Sequence, residues 1–135
     1  MSQGIPLGPY LLIRRLAQGG MAEVFLAHKT GPEGFSRELA VKRILPHLAE
    51  DPEFTSMFLD EARIAARLTH PNVVQVFDFG EADGAWYLAM ELVHGVDLRA
   101  VVQRAREQAR ARGEPGAVAP HHAAKILSFV CEGLA

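Results

Sequence analysis

Apolar and polar residues alternate with the two-residue period of β-strands in five segments of the chain. These segments cover residues 10–18, 23–28, 37–44, 73–79 and 85–90. The glycines at positions 19 and 20 separate the first two segments by a short turn, which is typical of a β-hairpin. The pattern therefore predicts an antiparallel sheet of five strands.

A helical pattern lies between the third and the fourth predicted strand. Asp51 followed by Pro52 is typical of a helix N-cap and first turn, and we expect the helix to run to about Leu68. Its apolar residues have the spacing of one buried helix face. They are Phe54, Met57, Phe58, Ile64, Ala65 and Leu68. Glu61 falls in the middle of this face.

Two further helices are predicted in the last third of the chain. Asp97 opens the first, a loop covers residues 113–116, and Pro120 begins the second. Strands followed by a helix, two strands and more helices indicate an α+β arrangement in which a helix packs on an antiparallel sheet. Strand and helix do not alternate along the chain, so a doubly wound parallel sheet is disfavoured.

Composition and charge narrow the class of protein. The chain has 135 residues, 49% of them hydrophobic, and a formal net charge of −2, which suits one globular domain and gives no case for nucleic-acid binding. Its single cysteine, Cys131, excludes a disulfide within the chain and is expected in the core. The N-terminus has no signal-peptide pattern and no apolar run approaches about 20 residues. We expect a cytoplasmic protein with no membrane segment in this chain.

Lys42 and Glu61 are candidates for an ion pair. Lys42 shares its strand face with Ala40 and Ile44, and Glu61 lies on the apolar helix face. Because a charge on an apolar face is costly unless it is paired, each residue is a suitable partner for the other. The alternative is that Glu61 lies at the edge of its face and reaches water.

The segment around Gly19 and Gly20 is a candidate anion-binding turn. Small residues let backbone amides approach phosphate oxygens closely. An ordinary hairpin turn is the alternative interpretation. A Rossmann-type site requires a helix directly after the glycines, and a strand pattern follows here, so that site is excluded.

Five motifs in this order resemble the N-terminal lobe of protein kinases. They are Ala17-Gln18-Gly19-Gly20-Met21-Ala22-Glu23-Val24, Leu39-Ala40-Val41-Lys42, Glu61, Leu68-Thr69-His70-Pro71-Asn72, and the hinge-like run from Leu88 to Leu98. The family pattern is a glycine-rich loop between two strands, then V-A-I-K, then a helix glutamate. The resemblance covers residues 10–135 and is strongest to bacterial Hanks-type serine/threonine kinases.

The resemblance implies a protein kinase-like N-lobe, α+β in class, with a five-stranded antiparallel sheet, the family's αC helix and the first helices of the C-lobe. Residues 1–9 would be a tail and 10–135 the kinase domain, with the N-lobe at 10–93 and the hinge and start of the C-lobe at 94–135. The implied function is ATP-dependent phosphoryl transfer to serine or threonine of a protein substrate. A non-catalytic pseudokinase or scaffold that binds nucleotide, and an unrelated α+β interaction module, are the alternatives.

The resemblance also implies roles for individual residues. Lys42 would contact the α- and β-phosphates of ATP, and Glu61 would hold Lys42 in place; these two form the catalytic set. Val24 and Ala40 would sandwich the adenine, and Met90 would be the gatekeeper. The expected nucleotide-binding set is Leu16, Ala17, Gln18, Gly19, Gly20, Met21, Ala22, Glu23, Val24, Ala40, Lys42, Met90, Glu91, Val93 and Asp97, with the backbone of Glu91 and Val93 on adenine and Asp97 on ribose.

The sequence departs from the family pattern in two ways. Ala17 and Ala22 replace the first and third loop glycines. The H-R-D-x-x-x-x-N and D-F-G motifs, which supply the catalytic base and the magnesium ligands, do not occur in the 135 residues. We therefore predict no metal ligand in this chain, expect the Mg²⁺ ligands of the family further downstream, and expect a truncated piece that is inactive on its own.

Overall fold

The computed structural model describes residues 3–114 and 118–135, and the chain divides into two compact units, Met1–Leu92 and Val93–Ala135. The first unit holds six strands, two 3-10 turns and one helix. These elements are β1 (Ile5–Leu7), β2 (Tyr10–Gln18), β3 (Ala22–Thr30), β4 (Ser36–Ile44), α1 (Pro52–Ala66), β5 (Val76–Ala82) and β6 (Ala85–Met90), with the 3-10 turns at Pro32–Gly34 and Pro46–Leu48. The second unit holds α2 (Leu98–Arg112) and α3 (Pro120–Leu134). Part of the loop predicted at 113–116 lies outside the described residues.

The strands form one antiparallel sheet in the order β1-β2-β3-β4-β6-β5. It has six strands where the pattern predicts five, because β1 lies in the segment interpreted as a tail. Three residues with a central Pro6 are too short to show alternation, and proline is tolerated because β1 is an edge strand. Gly8, with φ of 54°, makes the tight turn from β1 into β2.

Two predicted boundaries shift. The helix ends at Ala66 rather than near Leu68, and β5 begins at Val76 rather than at residue 73. Between them the Val73 amide donates to the His70 carbonyl at 3.1 Å, which makes a turn of residues whose apolar character suggested a strand. Element ends are the least certain part of any pattern-based prediction, since the hydrogen bonds that define them are not visible in it.

The sheet carries a separate apolar core on each face. One core includes Phe25, Val41 and Tyr87, together with Leu7, Tyr10, Leu12, Ala27, Leu39 and Ala89. The other lies between the sheet and α1 and includes Ile44, Phe58 and Leu88, together with Ala22, Ala62 and Ala85. Because neighbouring residues of a strand point to opposite faces, β4 contributes Val41 to the first core and Ile44 to the second.

The buried face of α1 differs from the predicted one. Phe58 and Ala62, four residues apart, are the buried residues of this helix. Met57, Ile64 and Leu68, which the pattern assigned to the buried face, are exposed. The apolar side chains of α1 cover more than one stripe of the helix, and only the stripe through Phe58 and Ala62 faces the sheet.

The second unit is described by itself. The Asp97 carboxylate accepts a hydrogen bond from the Ala100 amide at 2.7 Å and caps α2, as predicted, and Gly113 ends the helix in the left-handed conformation. The prediction that Cys131 is buried is wrong, since its side chain is exposed on α3, which has no buried residue. Among the described residues, none of the helices is long and apolar enough to cross a bilayer.

Candidate functional site

The structure brings Lys42 and Glu61 together across 19 positions of sequence. Lys42 Nζ donates to Glu61 Oε1 at 2.7 Å, which joins β4 to α1. The Lys42 side chain is 26% exposed and the Glu61 side chain 56% exposed. The predicted contact is therefore present, but the reason given for it is only half right, because Glu61 reaches water as the alternative supposed. A pair this exposed adds only about 0–1 kcal/mol of stability.

The face of the sheet around Lys42 follows from the strand register. Val24 is the cross-strand partner of Lys42 on β3, and Leu88 is its partner on β6. Two residues along β4, Ala40 pairs with Met90. Directly opposed residues share a face, so the ammonium stands at the end of an apolar strip that continues through Ala40 to Met90.

The glycine turn lies between β2 and β3. The Gly19 amide donates to the Ala22 carbonyl at 2.8 Å, and the Leu45 amide donates to the Met21 carbonyl at 2.9 Å, which ties the turn to the end of β4. Neither glycine has a positive φ, and a Cβ at Gly20 would meet no atom within 4 Å. The backbone conformation therefore does not require glycine at either position. The absence of side chains leaves free space above the turn.

The two alanines that replace family glycines fit this conformation. Ala17 lies in β2 opposite Val24, and Ala22 begins β3 opposite Ile44. Neither has a positive φ, so an L-residue carries no conformational cost at either position.

A cleft of about 380 Å³ lies between the turn, β4 and α1. Its lining residues are Gly19, Gly20, Met21, Ala22, Val24, Lys42, Met57, Phe58 and Glu61. The volume is within the range of roughly 300–1,000 Å³ typical of small-molecule sites. An ammonium held by a carboxylate beside a turn with two consecutive glycines fits an anionic group such as a phosphate chain.

Two lining residues, Met57 and Phe58, were not anticipated as site residues. They precede Glu61 by four and three positions, the spacing that places residues on the same side of a helix. This spacing from Glu61 could have identified both as site residues. They were not identified because the sequence analysis assigned them to the core.

The other predicted site residues are distributed around the cleft or away from it. Leu16, Ala17 and Gln18 are the last residues of β2, directly before the turn. Glu23 is a correction: its side chain lies on the opposite face of the sheet, where its carboxylate accepts a hydrogen bond from Arg43. Its nearness in sequence to the loop does not place it in the cleft, because strand neighbours alternate faces.

The predicted hinge begins at the end of β6. The Glu91 amide donates to the Gln75 carbonyl at 2.8 Å, which leaves the Glu91 carbonyl as its backbone group for a ligand. The Glu91 carboxylate accepts from the Gln75 amide at 3.2 Å. Val93 and Asp97 belong to the second unit, and the bond that caps α2 uses one carboxylate oxygen of Asp97.

Comparison with known proteins agrees with this geometry. The family model for the protein kinase domain matches residues 10–135. Tyrosine-protein kinase MasK of Myxococcus xanthus is 51% identical over 100 residues, which are 74% of this chain and 16% of that protein. Serine/threonine-protein kinase PknE of Mycobacterium bovis is 43% identical over 102 residues, which are 76% of this chain and 18% of that protein.

A solved structure shows the same fold. The crystal structure of the Mycobacterium tuberculosis PknI kinase domain superposes with a TM-score of 0.67 at 31% identity and covers 99% of this chain. The chain corresponds to 50% of that solved chain and to less than a fifth of the curated relatives named above. The match runs through the glycine turn, Lys42, α1 and the predicted hinge, and the chain belongs to the protein kinase family.

Proposed function

We propose that this chain is the ATP-binding part of a protein kinase that transfers the γ-phosphoryl group of ATP to serine or threonine. The observation that carries the proposal is the 2.7 Å contact between Lys42 Nζ and Glu61 Oε1, beside a glycine turn and inside a cleft of about 380 Å³. A lysine and a glutamate from separate elements meet where an anionic ligand would have room to bind.

Lys42 and Glu61 have different roles in the proposed binding of phosphate. The Lys42 ammonium binds the α- and β-phosphate oxygens, and Glu61 holds the ammonium in the conformation that this requires. A free lysine side chain carries about 2 kcal/mol of rotamer entropy, part of which the Glu61 contact removes before ATP arrives. The turn at 19–21 covers the phosphates and limits the access of water to them.

The base of ATP would occupy the apolar strip that continues from Lys42. Val24 and Ala40 enclose the adenine ring, Met90 limits the depth of the pocket, and the Glu91 carbonyl accepts from the adenine amino group. The strand register supports this set, since Val24 opposes Lys42 and Ala40 opposes Met90. Val93 and Asp97 would supply the remaining hinge and ribose contacts.

The family uses Mg²⁺ with ATP, and the ion would supply positive charge to the phosphates. We assign none of its ligands to this chain and propose that residues further downstream supply them, together with the catalytic base. In the family these groups come from the H-R-D-x-x-x-x-N and D-F-G motifs, which do not occur in the 135 residues. Since ATP is the donor, we expect the kinase to act in the cytoplasm.

The proposal that serine and threonine are the acceptors is based on the names of the similar proteins. PknE and PknH of Mycobacterium bovis are named serine/threonine-protein kinases, whereas MasK is named a tyrosine-protein kinase. Phosphoamino-acid analysis of the full-length protein after incubation with radiolabelled ATP tests this choice. We expect phosphoserine and phosphothreonine, and phosphotyrosine as the main product would overturn it.

The nucleotide site is tested by thermal unfolding of the full-length protein with and without Mg-ATP. A ligand at 100 times its Kd stabilises the folded state by about 2.7 kcal/mol, so the wild type should unfold several degrees higher with ATP. Lys42→Met should lose this shift and most phosphoryl transfer, while its melting temperature without ATP stays near that of the wild type.

Lys29→Met is the matched control, because Lys29 lies further along β3 from the cleft, with its Nζ 5.6 Å from the centre of the Tyr10 ring. Wild-type turnover by Lys42→Met would show that the assignment of Lys42 is wrong. An ATP-induced shift without transfer by the wild type would instead favour a nucleotide-binding pseudokinase or scaffold. No shift at all would overturn the assignment of the cleft as an ATP site.

A further inference from the structure

Glu23 is a buried carboxylate that the proposed ATP site does not use. Among the residues that the structure describes, it is the one charged residue that is buried, with 7% of its surface exposed. Arg43 donates from Nη2 to Glu23 Oε1 at 2.6 Å, and Arg15 Nη1 lies 3.7 Å from Glu23 Oε2. Each carboxylate oxygen therefore faces a guanidinium.

Burying these charged groups in the folded protein costs free energy. The Arg43 guanidinium lies 5.1 Å from the centre of the Phe25 ring, and its buried Nε has no hydrogen-bond partner among the described residues. Removing charged groups from water costs free energy that the pair only partly recovers, and an unpaired buried donor adds to the cost. A gain in stability is thus a poor explanation for the pair, and a requirement for one fixed geometry is a better one.

The position of the pair shows which geometry is held. Glu23 opposes Arg43 and Val24 opposes Lys42, so the two cross-strand pairs are consecutive and point to opposite faces of the sheet. The Glu23–Arg43 pair thus joins β3 to β4 beside the proposed phosphate-binding lysine, at the start of β3, directly after the glycine turn.

A second connection extends the network to the other side of the turn. Arg15 Nη1 also donates to Gln18 Oε1 at 2.7 Å, and Gln18 is the last residue of β2. Arg43, Glu23, Arg15 and Gln18 therefore form a chain of polar contacts across the base of the turn. Without the carboxylate, the two guanidiniums would face the same position with no counter-charge between them.

We propose that Glu23 is a positioning residue for the nucleotide: through Arg43 and Arg15 it holds the turn at 19–21 over Lys42, at the height where the turn covers the phosphates. This inference rests on the proposed ATP site and deepens it. Because the turn would contact the phosphates and not the base, loss of Glu23 should weaken the binding of ATP and leave that of adenosine almost unchanged.

The experiment compares the Kd of ATP with the Kd of adenosine, by calorimetry on the full-length protein. Glu23→Gln keeps the size of the side chain and removes its charge. We expect its Kd for ATP to rise about tenfold, the equivalent of about 1.4 kcal/mol, with less than a twofold change for adenosine. Glu38→Gln is the matched control, because Glu38 is an exposed β4 carboxylate that also faces a residue of β3, His28, at 3.6 Å; we expect it to change neither Kd.

A second variant covers the case in which Glu23→Gln fails to fold. Arg15 is 55% exposed, so Arg15→Gln should fold, and it removes one of the two charges that face Glu23. We expect it to raise the Kd of ATP about two- to threefold with no change for adenosine, a smaller effect because the Arg43 contact remains.

The outcomes separate the possible failures. An unchanged ratio of the two Kd values in these variants, with a wild type that binds both ligands, overturns the positioning role and leaves the ATP site standing. Equal weakening of ATP and adenosine together with a lower melting temperature shows a structural role only and also overturns it. A wild type that does not bind ATP overturns both the inference and the proposed function.

Discussion

At the scale of single residues, the contacts of a side chain decide its role more than its burial does. Lys42 and Glu61 meet although more than half of the Glu61 side chain is exposed, whereas Glu23 is buried and paired on the other face of the sheet. The exposed pair is free to respond to a ligand, because part of each group still faces solvent. The buried pair is fixed, because breaking it would leave a charge without a partner.

Tyr10 gives a residue-scale prediction about pH. Its hydroxyl donates to Asp78 Oδ2 at 3.2 Å, and its ring meets the Tyr87 ring edge-on at 5.6 Å. Burial, and then the negative charge of Asp78, raise the pKa of Tyr10 from 10 to about 12. The neutral phenol is favoured in the folded state, so this contribution to stability is complete below pH 10 and is lost as the pH rises from 10 to 12.

We therefore expect the free energy of unfolding to fall between pH 10 and pH 12, and to fall less steeply in Tyr10→Phe. Urea unfolding at several pH values measures this slope. Burial and Asp78 also raise the pKa of Tyr87, so part of the slope should remain in the single variant and disappear in Tyr10→Phe/Tyr87→Phe. At neutral pH the single variant should lose about 1 kcal/mol with its hydrogen bond. Identical slopes in wild type and Tyr10→Phe would contradict the prediction.

At the scale of elements, α1 uses one stripe of its surface to pack on the sheet and a neighbouring stripe to contact Lys42. Phe58 and Ala62 pack on the sheet, and Glu61, between them in sequence, projects to Lys42. Asp51 caps the helix by accepting from the Glu53 amide at 2.9 Å, which fixes where the helix begins and hence which residues face the sheet. The packing of Phe58 and Ala62 on the sheet therefore helps to place Glu61 beside Lys42.

Phe58→Ala should destabilise the first unit by roughly 3–5 kcal/mol, because it empties a site in the core between α1 and the sheet. Ile64→Ala on the same helix is the control. Ile64 is 65% exposed, so its loss should change stability by no more than about 0.5 kcal/mol. Urea unfolding of both variants gives the comparison. Equal losses of stability would show that α1 packs through a different face.

At the scale of the whole molecule, the proposed function divides into ATP binding, which we assign to this chain, and phosphoryl transfer, which we do not. The motifs that carry the base and the magnesium ligands in the family do not occur in its 135 residues. We therefore expect the purified 135-residue chain to transfer no radiolabel from ATP to itself or to a general acceptor protein. Full-length protein assayed in parallel is the control for the preparation. Detectable transfer by the 135-residue chain would contradict this expectation.

Much of the architecture could be predicted because it depends on local patterns. Alternation along 37–44 placed Lys42, Ala40 and Ile44 on one face, and the strand register agrees. Asp51 and Asp97 were recognised as helix caps from their residue type and position, and both accept the expected backbone hydrogen bond. β1 escaped notice because three residues are too few to show a period.

Other features could not be predicted, because apolar residues do not reveal which partner covers them. Met57, Ile64 and Cys131 are apolar residues in helices and were expected to be buried, yet they are exposed. Phe58 is buried as predicted, and Ala62, which was not in the predicted set, is buried with it, since the sheet meets α1 along a single stripe. Ala62 was missed because the small side chain of alanine contributes little to an apolar pattern.

Local patterns were enough to predict the order of the elements from β2 onward and the faces of the strands, and they made Lys42 and Glu61 candidates for an ion pair, because backbone geometry translates spacing directly into direction. The exposure of that pair, and the contacts of Glu23 with Arg43 and Arg15 on the opposite face, are visible only in the folded chain. Those outcomes depend on strand register and on the stripe of α1 that packs against the sheet. Both are set by contacts between residues far apart in the chain, which no local pattern contains.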